Sequence, residues 1–211
     1  MDNQVLLRFE EFYPVLRQNL KRKRFLHSLG VMHFATALAA RHGEDLADAA
    51  AAGLLHDCGR LETMEELGLE IHRRGLAVPP EDHEFQKVWH ALVSADIAAV
   101  DFGITDERIL RAIRVHPTGD AHMSRLDMIV FLADYTEPTR RFEGIKELRI
   151  LAERDLPAAF RRALEVKTQY ITAQGRTLHP RSRRALAAYA GPPLEVLLSS
   201  PPETRHGASP A

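Results

Sequence analysis

The sequence predicts an all-α protein, a single-domain helical bundle, and three observations predict it. Apolar positions recur at spacings of three and four residues, and no segment alternates as a half-buried strand does. Cap residues and glycine breaks punctuate the chain at helix-length intervals. With 211 residues and 45% hydrophobic content there is enough apolar material for one sizeable core.

The elements follow in order. Residues 1–20 are expected to form an N-terminal helical segment, and residues 21–190 the main domain. "KRFLHSLGVMHFATALAARHGE" reads as a long helix with His27, Val31, Phe34 and Leu38 on one face, closed by Gly43. Asp45 is placed to cap the next helix, where Leu46, Ala49, Ala50, Gly53 and Leu54 form a stripe that reaches Asp57 three residues on. "LETMEELGLEIHRRGLAVPPEDHEF" is polar and broken by Gly and Pro, which suggests a short helix and a mobile loop. "FQKVWHALVSADIAAV" is a third long helix. Thr105 is placed to cap another, with Ile109, Ala112, Ile113 and His116 at stripe spacing and His116 in the last turn because Pro117 follows. Ser124 opens "SRLDMIVFLADYTEP", apolar almost all round and so expected at the centre, with Asp134 near its end. Helices in "KELRILAE", in "LPAAFRRALEVKTQYITAQG" after Asp155, and in "SRRALAAY" complete the domain. The Pro- and Ser-rich tail, residues 191–211, has little to bury and is expected to be disordered.

Composition excludes several classes. Basic and acidic residues number 28 and 29, so bulk charge gives no sign of a nucleic-acid or membrane partner. The run "KRKR" at Lys21 to Arg24 reads as a solvated helix face. Cys58 is the only cysteine, which rules out an internal disulfide framework and fits a reducing, cytoplasmic setting. "MDNQVLLRFEEF" lacks the apolar core of a secretory signal, and no stretch approaches the ~18 uninterrupted apolar residues of a membrane span.

The chemistry concentrates on a few residues. His27, His56, Asp57 and Asp134 come from apolar helix faces or ends, and His116 and His90 join them as further candidates. One inward histidine is most often a hydrogen-bonded core residue. An inward aspartate differs, because a buried unpaired carboxylate costs several kcal/mol and demands a cation or strong donors. Two such aspartates among several histidines point to a metal ion. Imidazoles and carboxylates without thiolate suit iron, manganese or zinc better than copper(I), and carry too much nitrogen for calcium. A carboxylate next to a ligating histidine can also bridge two ions, so a binuclear centre is plausible.

The pattern H…HD…D, here His27, His56–Asp57 and Asp134, resembles the ligand signature of the HD-domain metal-dependent phosphohydrolases. The segments "RFLHSLGV", "AGLLHDCGR", "HPTG…MSRLDMIVFLADYTEPTRRFEGIKELR" and "GRTLHPRS" are similar to the YqeK-type symmetrical bis(5′-nucleosyl)-tetraphosphatases over roughly residues 20 to 189. The resemblance implies a helical HD fold, an iron-containing centre, cleavage of diadenosine tetraphosphate into two ADP, and a homodimer. It implies metal ligation by His27, His56, Asp57 and Asp134, with His90 and His116 facing the phosphates or completing a second metal's coordination. Asp57, His90, His116 and Arg60 are then the catalytic candidates. His27, His90, His116, Arg140 and the run Gly175, Arg176, Thr177, Leu178, His179 and Pro180 are the candidates for holding substrate.

The chain departs from the pattern in places. "HDCGR" stands where the family usually has HDYAK, so Arg60 keeps a positive charge without lysine's compact head. A glycine usual after the histidine of "VWHALV" is missing, and "HPTG" has proline where threonine is usual. These changes bear on substrate choice and leave the ligands intact. Two alternatives therefore stay open: an HD phosphohydrolase for another nucleotide (a nucleoside 5′-phosphate, a dNTP or a 2′,3′-cyclic phosphate), and a non-catalytic nucleotide or RNA sensor.

Overall fold

The computed structural model describes residues 4–191, with side chains from residue 10 onward. The expected disorder of the 191–211 tail therefore falls almost wholly outside the described residues. Ten α-helices and no strand are found among them: α1 (Gln4–Asn19), α2 (Arg22–His42), α3 (Leu46–Leu55), α4 (Met64–Arg73), α5 (Trp89–Val100), α6 (Glu107–Val115), α7 (Arg125–Thr136), α8 (Ile145–Arg154), α9 (Leu156–Ala173) and α10 (Pro180–Ala188). The all-α expectation is met.

Local chemistry accounts for most boundaries. Gly43 ends α2 in the left-handed region at φ 67°, and Asp45 caps α3 by accepting from the Ala47 and Asp48 amides. Thr63 with Glu66, and Ser124 with Asp127, form capping boxes at α4 and α7. Asp155 accepts from Ala158 N–H at the start of α9. Three expectations need correction. The cap of α6 is Asp106 rather than Thr105, since a carboxylate one residue later already bonds the Arg108 amide. The third long helix begins at Trp89, because Gln86–Val88 winds as a 3₁₀ turn. On α2, Ala35 takes the fully buried place expected of Phe34, which is only partly covered.

α7 is the hub. Every side chain from Leu126 to Ala133 is buried, and α2, α3, α6, α8 and α9 all pack against this helix. α2 and α3 lie close together, which the alanine-rich α3 allows. A Cβ at Gly53 would stand 3.0 Å from the Met32 backbone, so the crossing needs glycine. Phe131 meets Phe160 edge-on, their ring centroids 4.9 Å apart, and so seats α9 on α7. α4 lies outside the main core, on a small cluster of Leu67, Ile71 and Val93. Arg74 ties it down through Glu70, Asp96 and Asp101.

The loop between α4 and α5 is pinned rather than mobile as expected. Trp89 Nε1 donates to the Asp82 carbonyl at 2.8 Å, and the Asp82 carboxylate accepts from His179 Nε2 at 2.8 Å and from Arg181 Nη2 at 2.5 Å. Its polar composition concealed a side-chain clamp to a helix nearly a hundred residues away.

Candidate metal centre

Five helices bring one residue or pair each to a common point beneath α7. α2 supplies His27, the end of α3 supplies His56 and Asp57, α5 supplies His90, the end of α6 supplies His116, and α7 supplies Asp134. His56 is the C-cap of α3 and Asp57 lies in the turn beyond, both almost fully buried. Thus the most apolar helix ends by aiming two polar side chains into the core. Gly59 lets that turn press against α5: a Cβ there would lie 2.6 Å from Ser94 N, and the Gly59 amide donates to Ser94 Oγ. This close approach gives a physical reason for glycine in "HDCGR".

Three of the four histidines share one local device. His56 Nδ1 lies 2.8 Å from the Gly53 carbonyl, His90 Nδ1 2.6 Å from that of Lys87, and His116 Nδ1 2.8 Å from that of Ile113. A carbonyl oxygen can only accept, so Nδ1 carries the proton in each ring. Burial drives the pKa of His90 down to about 4 and of His116 to about 3, so both rings are neutral near pH 7. A neutral ring protonated at Nδ1 turns a bare lone pair outward at Nε2.

Those lone pairs converge. His90 Nε2 and His116 Nε2 are 3.3 Å apart, and each faces Asp57 Oδ1, at 3.3 and 3.8 Å. His56 Nε2 stands 3.7 Å from Asp57 Oδ2 and 3.9 Å from Asp134 Oδ1, buried without a hydrogen-bond partner in the protein. His27 Nε2 is 3.1 Å from Asp134 Oδ1, while its Nδ1 lies 3.2 Å from Glu137 Oε1. Acceptors packed this tightly repel unless something positive lies between them. His27, His56 and Asp134 form one group with ligand atoms mutually within 4.8 Å, and His56, Asp57 and His116 form a second. The donor set is imidazole and carboxylate. The nearby Cys58 thiol is turned to the Ser94 carbonyl, and burial raises its pKa, so it adds no thiolate. These residues fit a hard or borderline divalent ion.

The carboxylates are held ionised. Burial alone would raise both, yet both lie below the ordinary carboxylate range: His56 and Arg60 offset burial for Asp57, and the His27 bond, His56 and Arg140 offset it for Asp134. Arg24 Nη1 donates to Asp57 Oδ2 at 2.6 Å, Arg60 Nη1 approaches Oδ1 at 3.5 Å, and Arg140 Nη2 donates to Asp134 Oδ1 at 2.7 Å. The centre is therefore acidic within and ringed by cations at its rim.

The structure thus brings together all six of the His and Asp ligand candidates, with Arg60 and Arg140 at the edge. Among the described residues the 175–180 run makes no hydrogen bond to these side chains, though Ser182 just beyond it donates to the Thr118 carbonyl, two residues after His116. Gly175, Arg176 and Thr177 are exposed in the turn between α9 and α10, Leu178 is partly covered, and Pro180 is the first residue of α10. His179 is buried, yet its Nε2 goes to Asp82 and its Nδ1 accepts the Arg181 amide, so neither ring nitrogen is free for phosphate. Its hydrogen bonds hold the loop in this arrangement.

Three residues at the centre were missed. Arg24 is the last member of "KRKR" and lies one turn before His27, so three of the run's four charges are exposed and the fourth reaches Asp57. Glu137, one turn after Asp134, is 1% exposed and orients His27, its own oxygens fixed by Thr139 N–H and Oγ1. Lys167 on α9 sits beside the centre as well, its Nζ bonded to the Pro117 carbonyl. Spacing from a ligand could have found the first two.

The HD domain family matches residues 24–139, more than half of the chain and spanning His27 to Asp134. The chain belongs to the HD-domain family. Its relatives include the "Bis(5'-nucleosyl)-tetraphosphatase, symmetrical" of Bacillus subtilis, 34% identical over 81% of this chain and 91% of the relative. The protein of the same name from Halalkalibacterium halodurans is 32% identical, over 79% and 88%. A crystal structure from Clostridium acetobutylicum, described as a predicted HD superfamily hydrolase involved in NAD metabolism, superposes with a TM-score of 0.81 at 35% identity. That superposition covers 86% of this chain and 96% of the other. Within the HD-domain family, then, the chain falls in the branch of the symmetrical bis(5′-nucleosyl)-tetraphosphatases.

Proposed function

We propose that this protein is a hydrolase that cleaves diadenosine tetraphosphate symmetrically to two ADP, at a divalent-metal centre. His27, His56, Asp57 and Asp134 are the ligands, and His90 and His116 face the phosphates or complete a second site. One observation carries this reading: the Nε2 lone pairs of His56, His90 and His116 converge on ionised carboxylates with no proton of their own to offer, leaving His56 Nε2 buried and unpartnered. The relatives' activity gives the substrate class. Iron is preferred to manganese or zinc, and a homodimer in the cytoplasm is expected, on the family resemblance.

A divalent ion bound there supplies Lewis acidity toward phosphoryl oxygens and lowers the pKa of water. The chain's own residues do the rest. The Nδ1–carbonyl bonds of His56, His90 and His116 fix each ring before substrate arrives, so no reorganisation is needed during reaction. Arg140 and Arg60 stand at the rim, where a guanidinium can pair with two phosphate oxygens. As Arg60 stays protonated, its role is to offset charge on the departing phosphate and not to donate a proton. Symmetrical products require the water oxygen to bond to one inner phosphorus while the bridging oxygen leaves on the other. Each half departs as ADP: the water oxygen ends on one new terminal phosphate and the bridging oxygen on the other, and the two water protons pass to these phosphates or to solvent. The exposed 175–178 turn is proposed to grip one ADP-like half.

The test is a substrate panel with products separated by chromatography. ADP as the sole nucleotide product, formed faster than any mononucleotide is hydrolysed, is the expected result. AMP with ATP would overturn the symmetrical assignment. Faster turnover of a nucleoside 5′-phosphate, a dNTP or a 2′,3′-cyclic phosphate would replace the substrate, a reading the exposed Arg60 of "HDCGR" keeps open.

A further inference from the structure

α9 buries Leu156, Ala159, Phe160, Ala163 and Leu164, a stripe with three- and four-residue steps. The next position on that stripe is Lys167, so the chain directs an ammonium into a core register. It lands beside the metal centre. Its Nζ donates to the carbonyl of Pro117, the residue after His116, at 2.6 Å, and lies 5.2 Å from the ring centre of Phe131, one turn before Asp134. Among the described residues it makes no ion pair: a carbonyl and an aromatic face are its partners. An ammonium has three donors and no acceptor, and one bond to a carbonyl leaves donor capacity unused.

A partly buried cation without a carboxylate is costly, and this one stands among others of its sign. Burial lowers its pKa, and Arg140 and Arg60 lower it further against the pull of Asp134. Lys167 thus stands beside the carbonyl that follows His116, while Arg60 and Arg140 reach Asp57 and Asp134 from the turns after α3 and α7. Arg60 and Arg140 already pair with carboxylates, whereas among the described residues no carboxylate answers Lys167, and an anion with several charged oxygens could.

We propose that Lys167 is a substrate-binding residue whose ammonium contacts the polyphosphate chain from the α9 side of the metal centre. It acts as a point charge where Arg140 and Arg60 act as forks. The proposal rests on the hydrolase reading for the identity of the substrate, and on the chain's own geometry for the site.

The test is calorimetric titration of inorganic tripolyphosphate into the metal-loaded full chain, with adenosine as the uncharged control. Lys167→Met should weaken tripolyphosphate by about 10- to 100-fold, the loss of one charge-assisted contact, and Lys167→Arg should recover part of it. Should Lys167→Met not fold, Lys167→Gln, which keeps a donor for the Pro117 carbonyl without the charge, carries the same test. Unchanged tripolyphosphate affinity in a folded neutral variant, with only a lower Tm, would overturn the proposal by making Lys167 a packing residue. So would a wild-type protein that does not bind tripolyphosphate. Lys167-dependent binding without turnover of diadenosine tetraphosphate would support the phosphate site while refuting the proposed reaction.

Discussion

Two buried clusters in this protein are built from the same parts and end differently. One joins Asp82, His179 and Arg181; the other joins Asp57 and Asp134 to four histidines and three arginines. In the first, both ring nitrogens of His179 are satisfied within the protein: it donates to Asp82, accepts from the Arg181 amide, and meets Phe85 edge-on. In the second, His56 Nε2 has no partner, and His90 and His116 point lone pairs at one another. Burial and residue type do not separate a structural clamp from a functional centre here. What separates them is whether the protons suffice to satisfy the acceptors.

The comparison breaks most sharply at a ligand. Asp57→Ala should lower kcat by roughly 1,000-fold or more, the loss of several kcal/mol of charge stabilisation, with bound metal lost and helical circular dichroism retained. Elemental analysis beside the rate assay checks it; activity lost with metal retained would make Asp57 something other than a ligand. Glu137→Gln should have a smaller effect, since it leaves His27 in place and removes only the carboxylate that orients its ring. Metal affinity should fall by about 10- to 100-fold, measured by competition with a chelator. An unchanged affinity would make Glu137 a packing residue.

At the clamp the expected change is in stability. Asp82→Asn removes a carboxylate from two partners, and a loss of about 3 kcal/mol is expected in denaturant melts, with metal content unchanged. Burial opposes ionisation of Asp82, but its bonds to His179 and Arg181 hold its pKa below the ordinary carboxylate value. A depressed carboxylate contributes stability that is present above its unfolded pKa and lost as pH falls through the folded one. The wild type should therefore lose stability relative to Asp82→Asn on acidification below about pH 4, and the two melting curves should converge. Parallel curves across that range would remove the clamp from the account.

Much of this was legible in the sequence. The helices were readable because caps such as Asp45, Ser124 and Asp155 are local signals, and the gathering of the His and Asp candidates because an aspartate on an apolar stripe needs a partner. The pinning of the 74–88 loop was not legible, since it depends on Asp82 meeting a residue 97 positions away. The engagement of His179 with Asp82 was hidden for the same reason. Arg24 was hidden by its neighbours, because three exposed charges made the fourth look like one of them. Lys167 stood on a readable stripe, but the stripe was followed for apolar residues only.

The most direct measurement is metal content by elemental analysis on anaerobically purified protein, alongside the Asp57→Ala variant. The account predicts about one to two equivalents of a divalent metal per wild-type chain, iron first, and almost none in the variant. A wild-type chain that takes up no iron, manganese or zinc after reconstitution would contradict it, and the converging lone pairs would then need another cation.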